Sequence, residues 1–359
     1  MTLSLSVLDQ SVTTAGRGED HAVRDTLDLA VHCERLGYHR FWVSEHHSLP
    51  TIVGSAPEIL MAAIAARTTR IRIGSAGVML PHYAALKVAE QFRVLDALAP
   101  GRIDLGVGRA PGSDQRTALA LNPNAARAAD HFPQQVLDLQ AWTRGQRHQG
   151  ITAHPLAPAG ASLEHPPAGA SLEHPQSGTN PGFARAPEIW ILGSSDYGAQ
   201  LAAHFGLPYA FAYFFSDGEG AEEAVDLYRR LYKPSERHPI PQPTICVWAL
   251  AADTAEEAQH HALSRERWRL DRQRGMLGPL QRPDDIAAHG FSAEEMPAVE
   301  ATRRTALVGS AAMVGSQLRA LAAKFGLDEI VVNTWAHEPA VRRHSYALLA
   351  REFNLTGAT

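Results

Sequence analysis

Four short segments of this 359-residue chain hold side chains suited to chemistry. The first, Ser44-Glu45-His46-His47, offers histidines, whose proton affinity near neutrality suits general acid or base work. Adjacent residues of an extended chain point to opposite faces, so one of the two is expected to face a pocket. The second, Ala76-Gly77 within the small apolar run 74–81, lets a flat ring approach the backbone closely. The third, Gly108-Arg109, presents a permanently charged fork that grips phosphate oxygens in pairs. The fourth runs from Gly193 through Ser194 and Ser195 to Tyr197, with a helix beginning near Ser195. Free N–H groups and hydroxyls at a helix start attract phosphate. Singly, each has a plainer explanation: a helix cap for the serines, an ion pair for Arg109, a strand glycine for Gly77, a rim hydrogen bond for the histidines. Convergence on one rim is what would make them a site.

Their placement depends on the elements between them. Short apolar runs at 3–8, 40–43, 71–79, 103–107, 189–192, 209–212, 244–250 and 329–333 alternate with longer amphipathic segments. That alternation predicts βα units and a parallel sheet, and eight strands predict a closed (β/α)8 barrel, an α/β TIM barrel with loop insertions. In such a barrel reactive groups gather at the C-terminal strand ends, and the four segments lie there, three directly after a strand and Ala76-Gly77 in the last part of 71–79. The helices carry matching punctuation. Asp20 is expected to cap a helix with Val23, Leu27, Ala30 and Val31 on one face, Thr254 with Glu257 reads as a capping box, and Ser310 opens a helix with Val314, Leu318 and Leu321 inward. Glycines in ERLGY, HFGLP and KFGLDE close helices just before strands. A doubly wound dinucleotide fold competes through Gly106, Gly108 and Gly112. Its third glycine comes one position late, and the region near Asp130 reads as helix.

The whole chain, 1–359, reads as one domain. Two stretches interrupt the rhythm: 144–186, which carries PAGASLEHP twice in succession at 158–175 and reads as a flexible surface insertion, and 270–306, which reads as a lid insertion. With 45% apolar and 20% charged residues and a net charge of −5, the chain shows no basic run for nucleic acid or anionic lipid, which leaves a small molecule as the expected partner. No leader or spanning segment is evident, so cytoplasmic residence is the expectation. Cys33 and Cys246 lie far apart and are expected as buried thiols. No metal is expected, since Glu45-His46-His47 lacks the helical i, i+4 spacing of a zinc motif.

The ordered motifs FWVSEHH, IRIGSAGVMLPH, GRIDLGVGRAPG, WILGSSDYGAQLAAHFGLPYAFA and VGS, spread over nearly the whole chain, resemble the luciferase-like flavin monooxygenases, in their single-chain, non-luminescent branch. The resemblance implies a barrel that binds reduced FMN delivered by a separate flavin reductase, uses O2, and forms a homodimer, with segment 56–66 as a candidate contact. It implies His46 as the acid or base, a cis peptide between Ala76 and Gly77 beneath the isoalloxazine ring, and Arg109, Gly193, Ser194 and Tyr197 around the phosphate, beside the Ser195 that the helix start already suggests. Departures are Gly108 where light-emitting relatives carry a reactive cysteine, Gly193 and Tyr197 in place of Glu and Thr, and Val12 in place of Pro. Met79, Phe214, Trp248 and Trp335 are expected around the mouth, favouring an apolar or aromatic substrate. A deazaflavin-dependent dehydrogenase on the same barrel and a non-catalytic flavin-binding protein are the alternatives.

Overall fold

A computed structural model describes residues 3–110, 114–156 and 186–357. Eight parallel strands close a ring: β1 (Ser4–Asp9), β2 (Arg40–Val43), β3 (Arg72–Met79), β4 (Ile103–Gly108), β5 (Glu188–Gly193), β6 (Tyr209–Phe211), β7 (Pro243–Ala252) and, after one further strand in sequence, β9 (Glu329–Asn333). The ring shuts where β9 pairs with both β7 and β1, Val332 lying opposite Val247 and Val7. This is the expected TIM barrel, with all eight expected strands in place. The ninth, β8 (Leu307–Ser310), pairs with the outer half of β7 and stands outside the ring. It is not among the expected strands, because four residues ending in a helix cap leave little apolar run to detect.

Alternation along the strands, broken in β3 between Ser75 and Val78, builds two cores. Val7, Phe41, Ile191, Val247 and Val332 point out to the helices, and their neighbours Leu8, Trp42, Trp190, Cys246 and Val331 fill the barrel. Burial on both faces explains the near-continuous apolar strand sequences. Each such large side chain adds roughly 1.5–3 kcal/mol. Trp42 and Trp190 meet edge to face inside the ring, centroids 5.1 Å apart.

Gly37, Gly206 and Gly326 end their helices in the left-handed conformation, as ERLGY, HFGLP and KFGLDE imply. Thr254 accepts the Glu257 amide at 3.1 Å, and Ser310 accepts that of Met313. Two details of the first helix, Glu19–Leu36, differ from expectation. Gly18 is its N-cap, and Asp20 sits inside the first turn, paired with Arg24. Its buried stripe is Ala22, Thr26, Leu29, Ala30 and Cys33, while Val23, Leu27 and Val31 are half-buried. Threonine and cysteine inside a polar-looking helix misplace the stripe when only the largest apolar residues are read.

The duplicated PAGASLEHP lies outside the described residues. The 270–306 stretch is more regular than its Gly-Pro content suggests. It contains helices Pro283–His289 and Met296–Thr305, and Leu280 is tied into the structure by backbone bonds with Thr13 and Ala15. Cys33 and Cys246 are buried and unbridged. No helix is long and apolar enough to cross a membrane among the described residues.

Candidate active site

At the C-terminal ends of the strands lies a cavity of roughly 830 Å³, near the upper end of the range for small-molecule and cofactor sites. His46, Ala76, Gly77, Arg109, Gly193, Ser194, Ser195 and Tyr197 all line it, as do Met79, Phe214, Trp248 and Trp335. Residues from four separate strand ends thus converge, which is what βα loops of a closed ring enforce.

One rim is cationic. The exposed Arg109 guanidinium, just past β4, lies over the Tyr197 ring at 4.0 Å, which fixes its plane while leaving its N–H edge open. On the adjacent strand, Ser195 is the N-cap of helix Asp196–Phe205, yet its hydroxyl makes no cap bond, so the first-turn amides keep their donors. The Tyr209 hydroxyl holds the Ser195 carbonyl at 3.2 Å and positions this turn.

The floor is built from small residues, Ala76 and Gly77, beside Leu192. The Ala76–Gly77 peptide is cis, and the β3–β4 register shifts between Ser75 and Val78. A Cβ on Gly77 would stand 2.5 Å from Leu192 Cδ1 and 2.8 Å from the Gly106 carbonyl, and one on Gly106 would stand 2.1 Å from the Ser75 carbonyl. Any side chain is therefore sterically barred at Gly77 and Gly106, where β3 and β4 run close together and the Leu192 side chain of β5 packs against them.

Across the ring from this rim, His46 meets the end of β1. Gln10 Oε1 accepts from the Trp335 indole at 3.1 Å and from Asn333 Nδ2 at 2.7 Å. An indole nitrogen only donates, so the Gln10 oxygen must face it and the amide NH2 is turned toward His46 Nε2, 3.4 Å away. In that contact Nε2 is the acceptor. His47 also borders the cavity, so both histidines face it rather than one. Buried Glu45 holds His47 Nε2 at 2.7 Å, and its carboxylate also accepts the Tyr83 hydroxyl at 2.7 Å and the Met79 amide at 3.0 Å. Burial, then that bond to Glu45, pushes the Tyr83 phenol well above its ordinary range.

Sequence reasoning does not single out Gln10, Asn333 or Glu45 as site residues. The rule that finds the others, inspection of the positions just past each strand, also finds Gln10 after β1 and Asn333 at the end of β9 once applied all round the ring. Trp248 and Arg265 also line the cavity, from β7 and from helix Ala255–Gln273. Arg265 lies mid-helix, where nothing in the local sequence separates it from the neighbouring surface arginines. Among the described residues no group of acidic, histidine and cysteine side chains could hold a metal ion.

A family model described as luciferase-like monooxygenase matches residues 1–329. The chain belongs to this family. Among its relatives, a luciferase-like monooxygenase of Escherichia coli (strain K12) is 36% identical over 97% of this chain and 96% of its own length. The N-acetyl-S-alkylcysteine monooxygenase of Bacillus subtilis (strain 168) is 33% identical over 97% of this chain and 97% of its own. Among solved structures, apo-MsnO8 superposes with a TM-score of 0.85 at 33% identity, covering 99% of both chains. At lower identity only the barrel is shared. The oxygenating constituent of 3,6-diketocamphane monooxygenase from Pseudomonas putida, in complex with FMN, gives a TM-score of 0.69 at 20% identity over 98% of both chains. An F420-dependent secondary alcohol dehydrogenase gives 0.62 at 12%, over 98% of this chain and 99% of that one. As a luciferase-like monooxygenase, the chain is an enzyme of the flavin-dependent monooxygenase class.

Proposed function

We propose that the cavity binds reduced FMN, supplied by a separate flavin reductase, and that the enzyme uses O2 to oxygenate a small organic substrate. One oxygen atom enters the substrate and the other leaves as water. Arg109, stacked on Tyr197, and the open helix start at Gly193, Ser194 and Ser195 hold the phosphate. The small-residue floor at Ala76 and Gly77 carries the flat ring. When bound, the flavin supplies the electrons that activate oxygen. His46 accepts or returns a proton at Nε2, oriented by Gln10. Trp248, Trp335 and Phe214 keep water out.

The observation that carries this reading is a single cavity joining a cationic, uncapped rim to a floor of small residues at Ala76 and Gly77. Anaerobic titration with reduced FMN, run beside a deazaflavin, tests it. FMN is expected to bind in preference, and Arg109→Gln to weaken FMN roughly 10- to 100-fold, the worth of a charge-assisted contact, while leaving riboflavin affinity unchanged. Absence of FMN affinity, or tighter deazaflavin binding, would sink the reading. His46→Ala should slow substrate oxygenation with FMN still bound. Unchanged turnover would point to a flavin carrier instead.

The proposal extends to cytoplasmic residence and a homodimer. Ile59 is 66% exposed, Val94 49% and Leu98 62%, on the packed helices Pro57–Ala65 and Ala85–Leu98. Light scattering should show a dimer that Ile59→Asp with Leu98→Asp converts to monomer. A monomeric wild type would remove this part.

A further inference from the structure

On the far side of the cavity from the Ala76–Gly77 floor stands a pair of polar groups that the flavin reading leaves unused. β7 is four strands from β3 in the ring of eight, so Trp248 faces across the mouth toward that floor. Its indole Nε1–H is buried with no hydrogen-bond partner. The Arg265 guanidinium lies over the same indole, 4.1 Å from its centre. Arg265 is only 7% exposed, and among the described residues it donates no hydrogen bond and enters no ion pair.

The nearby carboxylates are already committed. Asp217 takes both prongs of Arg269, at 2.8 and 2.7 Å, and Glu266 takes both prongs of Arg303, at 2.9 and 2.8 Å. A buried cation without a counter-ion is costly, and its stacking on an indole repays only part of that cost. The guanidinium stacked on Trp248 lines the cavity, and the unpartnered indole N–H belongs to the same stack. Trp268, Phe214 and Trp335 form an apolar wall around these two donors.

We propose that the substrate is an organic acid, its carboxylate held by Arg265 and the Trp248 indole N–H and its apolar portion lying against Trp268, Phe214 and Trp335. A planar fork plus one further donor matches the two oxygens of a carboxylate. This rests on the flavin reading for the direction in which the rest of the substrate points, since the floor across the mouth is where the ring would lie. It deepens that reading by assigning the substrate's charge and the end that carries it.

Calorimetric titration of the full chain, with and without FMN, tests the assignment. The probes are phenylacetate, 3-phenylpropanoate and 4-phenylbutanoate, each beside its primary amide. Wild type is expected to bind at least one acid about tenfold or more tightly than its amide, the worth of a charged hydrogen-bonded contact. Arg265→Met should bring that acid down to the amide's level. Trp248→Phe, which keeps the ring and removes only the N–H, should cost the acid a few-fold and the amide less, so the result does not hang on one variant's folding. The proposal is overturned if no acid outbinds its amide, or if the preference survives Arg265→Met. It is equally overturned if Arg265→Met weakens FMN but not riboflavin, because the guanidinium would then belong to the cofactor phosphate. An acid preference that persists while FMN fails to bind would leave the substrate assignment standing and remove the flavin reading alone.

Discussion

The two ends of the barrel treat charge in opposite ways. At the N-terminal end Arg40 reaches Asp104 and Glu188 at 2.9 Å and Glu329 at 3.0 Å, and Arg72 closes on Asp104 from the next strand. The Trp42 and Trp190 indoles donate to Asp104 and Glu188 from inside the ring, so the plug is satisfied on all sides. Burial alone would lower the Arg40 pKa, but Asp104, Glu329 and Glu188 outweigh it and hold the guanidinium well above its ordinary range. At the C-terminal end Arg265 is equally buried and has no carboxylate, and the Trp248 indole finds no acceptor. Like residue types are thus completed at one end and left incomplete at the other. Incompleteness that a folded chain tolerates at the mouth of a cavity is a binding specification, and completeness at the closed end is architecture.

The largest effect should come from breaking the closed end. Arg40→Met leaves Asp104 and Glu188 with Arg72 as their remaining ion-pair partner and Glu329 with the Ser6 hydroxyl, and should cost about 3–5 kcal/mol, the penalty for stranding buried charge. Urea unfolding measures it, and flavin affinity of the folded fraction should not change. A loss below about 1 kcal/mol would mean the plug is solvated like a surface pair and the contrast between the ends is false.

The plug also shows where reading the sequence stops. All eight barrel strands, the glycine stops and the gathering of the eight candidate residues around one cavity are legible, because alternation, turn chemistry and position near a strand end are local signals. Arg40, Arg72, Asp104, Glu188 and Glu329 each begin or nearly begin a strand, and nothing local says that five strand starts meet at one point. The same holds for Arg265, whose partnerless state depends on where Asp217 and Glu266 spend their charges. Gln10 and Asn333 are within reach, since they sit at strand ends that the same rule covers.

A smaller effect, also at the closed end, should appear as a pH dependence. Burial, only partly offset by Glu188, holds the His238 imidazole down to about 4, and burial, opposed chiefly by the Gly101 amide, lifts the Asp96 carboxyl up to about 6. The signs oppose each other. A histidine lowered on folding gives stability that is complete above its unfolded value near 6.5 and lost as the pH falls toward 4. A carboxyl raised on folding gives stability that is complete below its unfolded value near 3.8 and lost as the pH rises through 6. Between about pH 4 and 6 the two slopes partly cancel. His238→Gln should therefore lose less stability than wild type on going from pH 6.5 to 4.5, and Asp96→Asn should lose more, each by up to about 2 kcal/mol. Parallel shifts of both variants would show that neither group titrates across this window.

The smallest expected change is the sharpest test of the comparison, because its sign is reversed. Replacing Arg265 by Met removes a buried cation and keeps an unbranched apolar chain in contact with the Trp248 ring. No carboxylate is stranded by the change, since Asp217 and Glu266 keep their own arginines. Burial and the Arg269 charge both push the Arg265 pKa down, as expected of a cation that folding disfavours. Arg265→Met should accordingly raise the thermal midpoint, with a gain of about 1–2 kcal/mol, at an end of the barrel where the wild type holds an arginine that stability alone does not require. The gain should vanish when melting is repeated with a saturating carboxylate ligand, because ligand binding stabilises only the protein that still carries the guanidinium. A destabilised Arg265→Met would mean that stacking on Trp248 already repays the charge, and the two ends of the barrel would then differ in geometry alone.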